Sequence, residues 1–133
     1  MEPRHQFSSV FRNILILEED PLVSIRVEEM LRDLGARRIY SFRDHNLALF
    51  NARELPIDFA VVDVVFAGRR HYDVPSVLRG RRIPFLFSCG LRPEELDPEH
   101  RDTPCLPKPF SDELLLVTLI AASAARTARP KLN

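Results

Sequence analysis

The feature that most constrains this chain is a set of short, fully apolar runs separated by charged or amphipathic stretches. Ile14-Leu15-Ile16-Leu17 is too short for a helix and rich in β-branched residues. It lacks polar alternation, so it suits a strand buried on both faces. Phe59-Ala60-Val61-Val62 and Pro84-Phe85-Leu86-Phe87-Ser88 repeat the pattern. Strands of that kind need a covering layer above and below, and the intervening segments can supply it. After the first run, Asp20 is a candidate N-cap and Pro21 suits the first helical position. Val23, Val27, Met30, Leu31 and Leu34 then recur at helical spacing, and Gly35 is a natural stop.

The rest of the chain continues this alternation. Arg38-Ile39-Tyr40 predicts a short strand. Ser41 is the expected cap of a second helix with Leu47, Leu49 and Phe50 on its apolar side, and Pro56 breaks the chain. Phe66 to Arg82 is charged and interrupted by Gly68, Pro75 and Gly80, leaving room for a short helix near Val74 to Leu78. Leu91 to Thr103 is dense in proline and charge, which predicts loop or one irregular turn of helix. Its low apolar content leaves little to hold it in one conformation. Cys105-Leu106-Pro107 reads as a fifth strand. Ser111 caps a final helix running through Leu114 to about Ala125.

Strands alternating with helical patterns imply parallel βαβ units. Five strands with five helices, the third shortened and the fourth irregular, predict an α/β fold: a flavodoxin-like doubly wound five-stranded parallel sheet. One domain would span 13–125, preceded by an extension over 1–12 and followed by a tail over 126–133.

Charge narrows the function classes. Lys plus Arg and Asp plus Glu each total 19, so the formal net charge is zero. That balance gives no electrostatic reason to expect nucleic acid or an anionic membrane as a partner. No apolar run approaches the roughly 20 residues of a bilayer span, and Met1 to Arg12 lacks the apolar block of a signal peptide. Two cysteines, Cys89 and Cys105, form neither a disulfide framework nor a zinc motif. The expectation is two free thiols in a reducing cytoplasm.

In doubly wound sheets, ligands bind at the carboxyl ends of the strands near the switch in strand order. Glu18 and Glu19 end the first strand, Asp63 the third, and Ser88 and Cys89 the fourth, while Lys108 follows the fifth. Carboxylates held close repel one another unless a cation sits between them. A hard divalent ion such as Mg²⁺ suits such a cluster, and Lys108 offers a mobile ammonium for a phosphoryl oxygen. Taken singly, each residue is more often a cap or a turn than part of a site. Their joint order on one alternating pattern favours a site.

Ile16-Leu17-Glu18-Glu19-Asp20-Pro21, Val62-Asp63, Ile83-Pro84-Phe85 and Lys108-Pro109-Phe110 resemble the signature blocks of CheY-like receivers, the phosphoacceptor domains of two-component response regulators. The match covers roughly Asn13 to Ala125. The chain is also similar to the short single-domain FAT GUY group, whose Phe-Ala-Thr-Gly block reads here Phe87-Ser88-Cys89-Gly90. The resemblance implies a cytoplasmic, non-enzymatic signalling protein. Asp63 would take a phosphoryl group from a histidine kinase or phosphotransfer protein. Mg²⁺ would be held by Glu18, Glu19, Asp63 and the Val65 carbonyl, with Glu19 as a direct ligand. Lys108 would contact the acyl phosphate, and the Lys108–Pro109 peptide would be cis. Output would be a downstream protein partner or a phosphate sink.

The chain departs from the family pattern at three positions. Glu19 stands where receivers usually carry Asp. Cys89 replaces a Thr or Ser, and a thiol is a weaker donor than a hydroxyl. Ser88 is adjacent, but strand alternation turns it to the opposite face. Cys105 occupies the aromatic switch position, on the strand beside Cys89, so the two thiols are expected to be close. Glu19 and Cys89 support an alternative, a phosphorylation-independent pseudo-receiver. A third class, an unrelated flavodoxin-like enzyme, lacks a Gly-rich phosphate loop. Finally, Leu114, Leu115, Leu116, Val117, Leu119 and Ile120 make an apolar arc wider than one buried face needs. Burial against the sheet and a homodimer through this helix are the two readings.

Overall fold

Parallel strands at the centre of the molecule organise everything else. In the computed structural model, which describes residues 10–128, the elements in order are β1 (Asn13–Leu17), α1 (Pro21–Asp33), β2 (Arg38–Phe42), α2 (His45–Glu54), β3 (Phe59–Val62), β4 (Val65–Phe66), β5 (Arg69–Arg70), α3 (Asp73–Gly80), β6 (Phe85–Ser88), β7 (Cys105–Leu106) and α4 (Asp112–Ala128). β2-β1-β3-β6-β7 form one parallel sheet, and β4 and β5 form a separate antiparallel pair. The switch in strand order falls between β1 and β3, as the doubly wound reading requires.

Alternation along the strands builds two cores. Leu15, Leu17, Ala60, Val62, Phe85 and Phe87 face Ala48 and Ala52 of α2 and Val74 and Leu78 of α3. Ile14, Ile16, Phe59, Val61 and Leu86 face Val27 and Leu31 of α1 and Leu115 and Leu119 of α4. Both sides of the central strands are therefore dry, which explains their uninterrupted apolar runs. Phe11 is fully buried with its ring edge-on to Phe59, 5.1 Å between centroids, so core packing begins two residues before β1. Residues 1–9 of the expected extension and 129–133 of the expected tail lie outside the described residues.

Several local expectations need correction. Ser41 does not cap α2: it lies inside β2, and its hydroxyl meets that of Ser24 at 2.9 Å. Asp44 is the cap, accepting from the Asn46 and Leu47 amides. Leu47 and Phe50 are exposed, and Ala48 and Ala52 are the residues buried on α2. The last helix runs to Ala128 rather than Ala125, since its alanine-rich end offers no stop signal. Its cap is Ser111 as read, accepting from the Leu114 amide at 3.0 Å.

The place of a fourth long helix is taken by two 3₁₀ turns, Pro93–Glu95 and Pro98–His100. Proline starts each turn, where its missing N–H costs nothing. This segment is not loose. Leu96 and His100 are buried, and the His100 ring stacks on Tyr72 with 5.0 Å between centroids. Arg79 of α3 donates to Thr103 Oγ1 at 3.0 Å and approaches His100 Nδ1 at 3.3 Å. The Tyr72 hydroxyl accepts from the Asp97 amide at 3.1 Å. One buried histidine does what apolar side chains do elsewhere.

His100 is held below its ordinary value of 6.5, first by burial and then by the nearby Arg79 charge, against the pull of Glu99, Asp97 and Asp102. A depressed histidine contributes stability that is present above 6.5 and lost as pH falls through its folded pKa. We expect His100→Ala to cost about 2–3 kcal/mol in urea unfolding at neutral pH, the order for deleting a buried ring. It should also remove part of the stability loss below 6.5. A variant that keeps the full acid-side loss would contradict this role.

Candidate functional site

Register sets the site. Leu17 pairs with Val62 across β1 and β3, so the next residues, Glu18 and Asp63, emerge side by side at the carboxyl edge of the sheet. Both are nearly buried, at 2% and 5% exposure. Lys108 follows β7 and enters from the other side, with a cis Lys108–Pro109 peptide behind it. Its Nζ donates to Glu18 Oε1 at 2.7 Å and to Asp63 Oδ2 at 2.8 Å. The remaining carboxylate oxygens take backbone donors: Glu18 Oε2 accepts from the Asp20 amide at 3.0 Å, and Asp63 Oδ1 from the Val65 amide at 2.9 Å.

The electrostatics follow from that geometry. Burial pushes the Glu18 carboxyl above its ordinary range, and the Lys108 and Asp20 hydrogen bonds recover only part of the shift. Burial also works against the Lys108 ammonium, but its hydrogen bonds to Asp63 and Glu18 outweigh that, and its pKa rises. With both acids ionised the cluster sets two carboxylates against one ammonium, so its stability depends on the lysine.

The loop after Asp63 is stapled by a feature the sequence reading missed. β4 and β5 form a two-residue hairpin whose central residues, Ala67 and Gly68, both have positive φ, at 52° and 75°. Such turns match strand twist and favour glycine. The His71 amide donates to the Val64 carbonyl at 2.7 Å. In an antiparallel ladder, bonded and non-bonded pairs alternate. Val65 opposite Arg70 is then a non-bonded pair, which turns the Val65 amide and carbonyl off the hairpin. The amide is the one that holds Asp63. The sequence signal was present in Ala67-Gly68 between Val65-Phe66 and Arg69-Arg70.

The other predicted residues divide. Ser88 is buried with its hydroxyl turned toward Glu18 Oε1 at 3.5 Å, whereas Cys89 points to Cys105 with sulfurs 3.7 Å apart. Alternation along β6 operates, but in the opposite sense to the expectation: the serine faces the acids. Glu19 is exposed and, among the described residues, joins neither Lys108 nor the two acids.

No family model matches the sequence, and no curated protein matches it. Solved structures do. SdrG from Sphingomonas melonis Fr1 is 32% identical, with a TM-score of 0.73 over 85% of this chain and 96% of that one. The non-phosphorylated HemR receiver domain from Leptospira biflexa gives a TM-score of 0.72 at 21% identity, over 91% of this chain and 99% of that one. The chemotaxis response regulator CheY4 of Vibrio cholerae gives 0.71 at 22% identity, over 84% and 98%. The last two establish the fold, and the identity and coverage of SdrG establish kinship.

The chain belongs to the CheY-like receiver family.

For this receiver the family implies Mg²⁺. The donors suit a hard cation: two buried carboxylates beside a carbonyl freed from the hairpin ladder. Glu18, Glu19, Asp63 and the Val65 carbonyl would hold it, Glu19 from the exposed side of the site. Among the described residues no group of three acids, histidines or cysteines is gathered as a ready metal centre. The Lys108 ammonium offsets one of the two negative charges.

Removing that ammonium strands two buried carboxylates. We expect Lys108→Ala to destabilise the receiver at neutral pH by about 2 kcal/mol. That is below the ~3–5 kcal/mol of a fully buried pair because Lys108 is partly exposed. The loss should shrink as acid protonates Glu18, whose pKa is raised. Unfolding curves with the same deficit at acidic and neutral pH would contradict this electrostatic role.

Proposed function

We propose that this receiver accepts a phosphoryl group on Asp63 from a histidine kinase or phosphotransfer protein in two-component signalling. The observation that carries the reading is the Lys108 ammonium bridging buried Asp63 and Glu18 at 2.8 and 2.7 Å. In transfer, an Asp63 carboxylate oxygen forms the new bond to phosphorus as the bond to the donor histidine nitrogen breaks. Such chemistry needs mainly positioning and charge neutralisation. The Val65 amide orients the acceptor through Oδ1. Lys108 is freed to follow the incoming phosphoryl oxygens. Ser88, the hydroxyl facing the acids, supplies the hydrogen bond that a Cys89 thiol would make poorly. Bound Mg²⁺ supplies further neutralisation of the phosphoryl oxygens. A BeF3-activated conformation is known for SdrG from Pseudomonas melonis Fr1, which is 30% identical over 85% of this chain.

Output is by protein contact or by drawing phosphate from a kinase, in the cytoplasm. No helix among the described residues is long and apolar enough to cross a membrane. A homodimer through α4 would have a modest apolar surface. Leu115 and Leu119 are in the core and Leu116 packs against it, which leaves Leu114 and Val117 as the exposed large apolar residues of the arc.

A second reading is favoured by two observations. Glu19 is exposed, and Cys89 is committed to Cys105. Both fit a phosphorylation-independent interaction module. Acetyl phosphate and beryllofluoride, each with and without Mg²⁺, decide between them. The expected result is Mg²⁺-dependent modification of Asp63 that Asp63→Asn abolishes. Labelling that survives Asp63→Asn overturns the assignment, and labelling of neither protein supports the second reading.

A further inference from the structure

We propose that Cys89 and Cys105 are a dithiol oxidation site that closes to an intramolecular disulfide on exposure to hydrogen peroxide. The two sulfurs lie 3.7 Å apart. Cys89 follows the carboxyl end of β6 and Cys105 opens β7, with Phe87 beside Cys105 and Ser88 beside Leu106, so the two cysteines lie diagonally across the strand pair. Their side chains span that offset to bring the sulfurs within 3.7 Å, and a disulfide then requires a further approach to about 2 Å. Neither thiol belongs to the Lys108, Glu18 and Asp63 hydrogen-bond network. Cys105 is partly exposed, which gives a small oxidant a way in, and Cys89 lies buried directly behind it.

The pair also eases its own ionisation. When one proton leaves, the other S–H donates to the thiolate. This shared hydrogen bond pulls Cys89 down to about 7 against the effect of burial, and pushes Cys105 up. Reaction with peroxide requires a thiolate with access.

The step balances as follows. One sulfur of the proton-sharing pair, as thiolate, attacks one peroxide oxygen, the O–O bond breaks, and the departing hydroxide takes a proton to become water, leaving a sulfenic acid on that cysteine. The other cysteine then loses its proton and attacks the sulfenic sulfur. The S–S bond forms as the S–O bond breaks, and the second oxygen leaves as water. Two thiols are oxidised by two electrons, and one peroxide is reduced to two waters.

Closure would tie the residue after Ser88 to the strand that delivers Lys108. This coupling rests on the phosphoacceptor reading above, and it predicts severalfold slower labelling of Asp63 in the oxidised form.

The test uses the full chain, reduced and then treated with hydrogen peroxide. Remaining thiols are alkylated under denaturing conditions, and intact mass and non-reducing electrophoresis are read. The expected product is a monomer about 2 Da lighter than the reduced protein. It has no alkylatable thiol and is restored by dithiothreitol. Either single variant, Cys89→Ser or Cys105→Ser, should lose the 2 Da product and form no intramolecular disulfide. Two thiols surviving peroxide, oxygen adducts in the wild type without the mass loss, or a disulfide-linked dimer would each overturn the site. The wild-type readout does not depend on the variant folding. The thiol count is independent of Asp63, so failure of labelling in every form strikes the phosphoacceptor reading alone. A disulfide that forms without slowing labelling overturns the coupling.

Discussion

Two carboxylates at the buried carboxyl ends of the two central strands are the constraint around which this receiver is arranged. Glu18 and Asp63 are brought together by the pairing of Leu17 with Val62, a register that the two hydrophobic cores enforce. A one-residue slip would carry every inward side chain to the wrong face and separate the acids. Held where they are, they need a cation, and the chain supplies one from the far edge of the sheet through Lys108. The order of the strands, the end of β7 and the loop before α4 all serve that single delivery. The site therefore depends on tertiary registration more than on any local motif.

Much of the fold was legible because burial on both faces leaves an unambiguous trace in sequence. The apolar runs at Ile14–Leu17 and Phe59–Val62 coincide with strands, and Asp20-Pro21 starts α1 as capping chemistry dictates. Legibility failed where two residues competed for one role. Ser41 was read as the cap and Asp44 was passed over, and the difference was made by Ser24, whose hydroxyl meets that of Ser41 in the strand from another element. The 91–103 segment looked unanchored because its few aliphatic anchors, Leu91 and Leu96, are completed by a buried histidine. Nothing local shows that His100 will find Tyr72 and Arg79.

The candidate site was legible as a list of residues but less so as a set of contacts. Glu18, Asp63 and Lys108 meet as the strand-end rule suggests. Their backbone partners, the amides of Asp20 and Val65, were invisible, since any residue supplies an amide and only the loop path aims it. The orientation of Ser88 and Cys89 depends on where β6 stops pairing with β7, which single-sequence periodicity does not locate.

The inward face of α2 is built from Ala48 and Ala52, while Leu47 and Phe50 stand in water. Small side chains at these two positions allow close approach of the helix to the sheet, with Leu49 packed partly buried beside them. Replacing either alanine by a larger residue would lift the helix from β1, whereas positions 47 and 50 can change freely. The tolerance profile along α2 thus runs opposite to its hydrophobicity profile: its most oily residues are its most replaceable, and its smallest ones set the thickness of that layer.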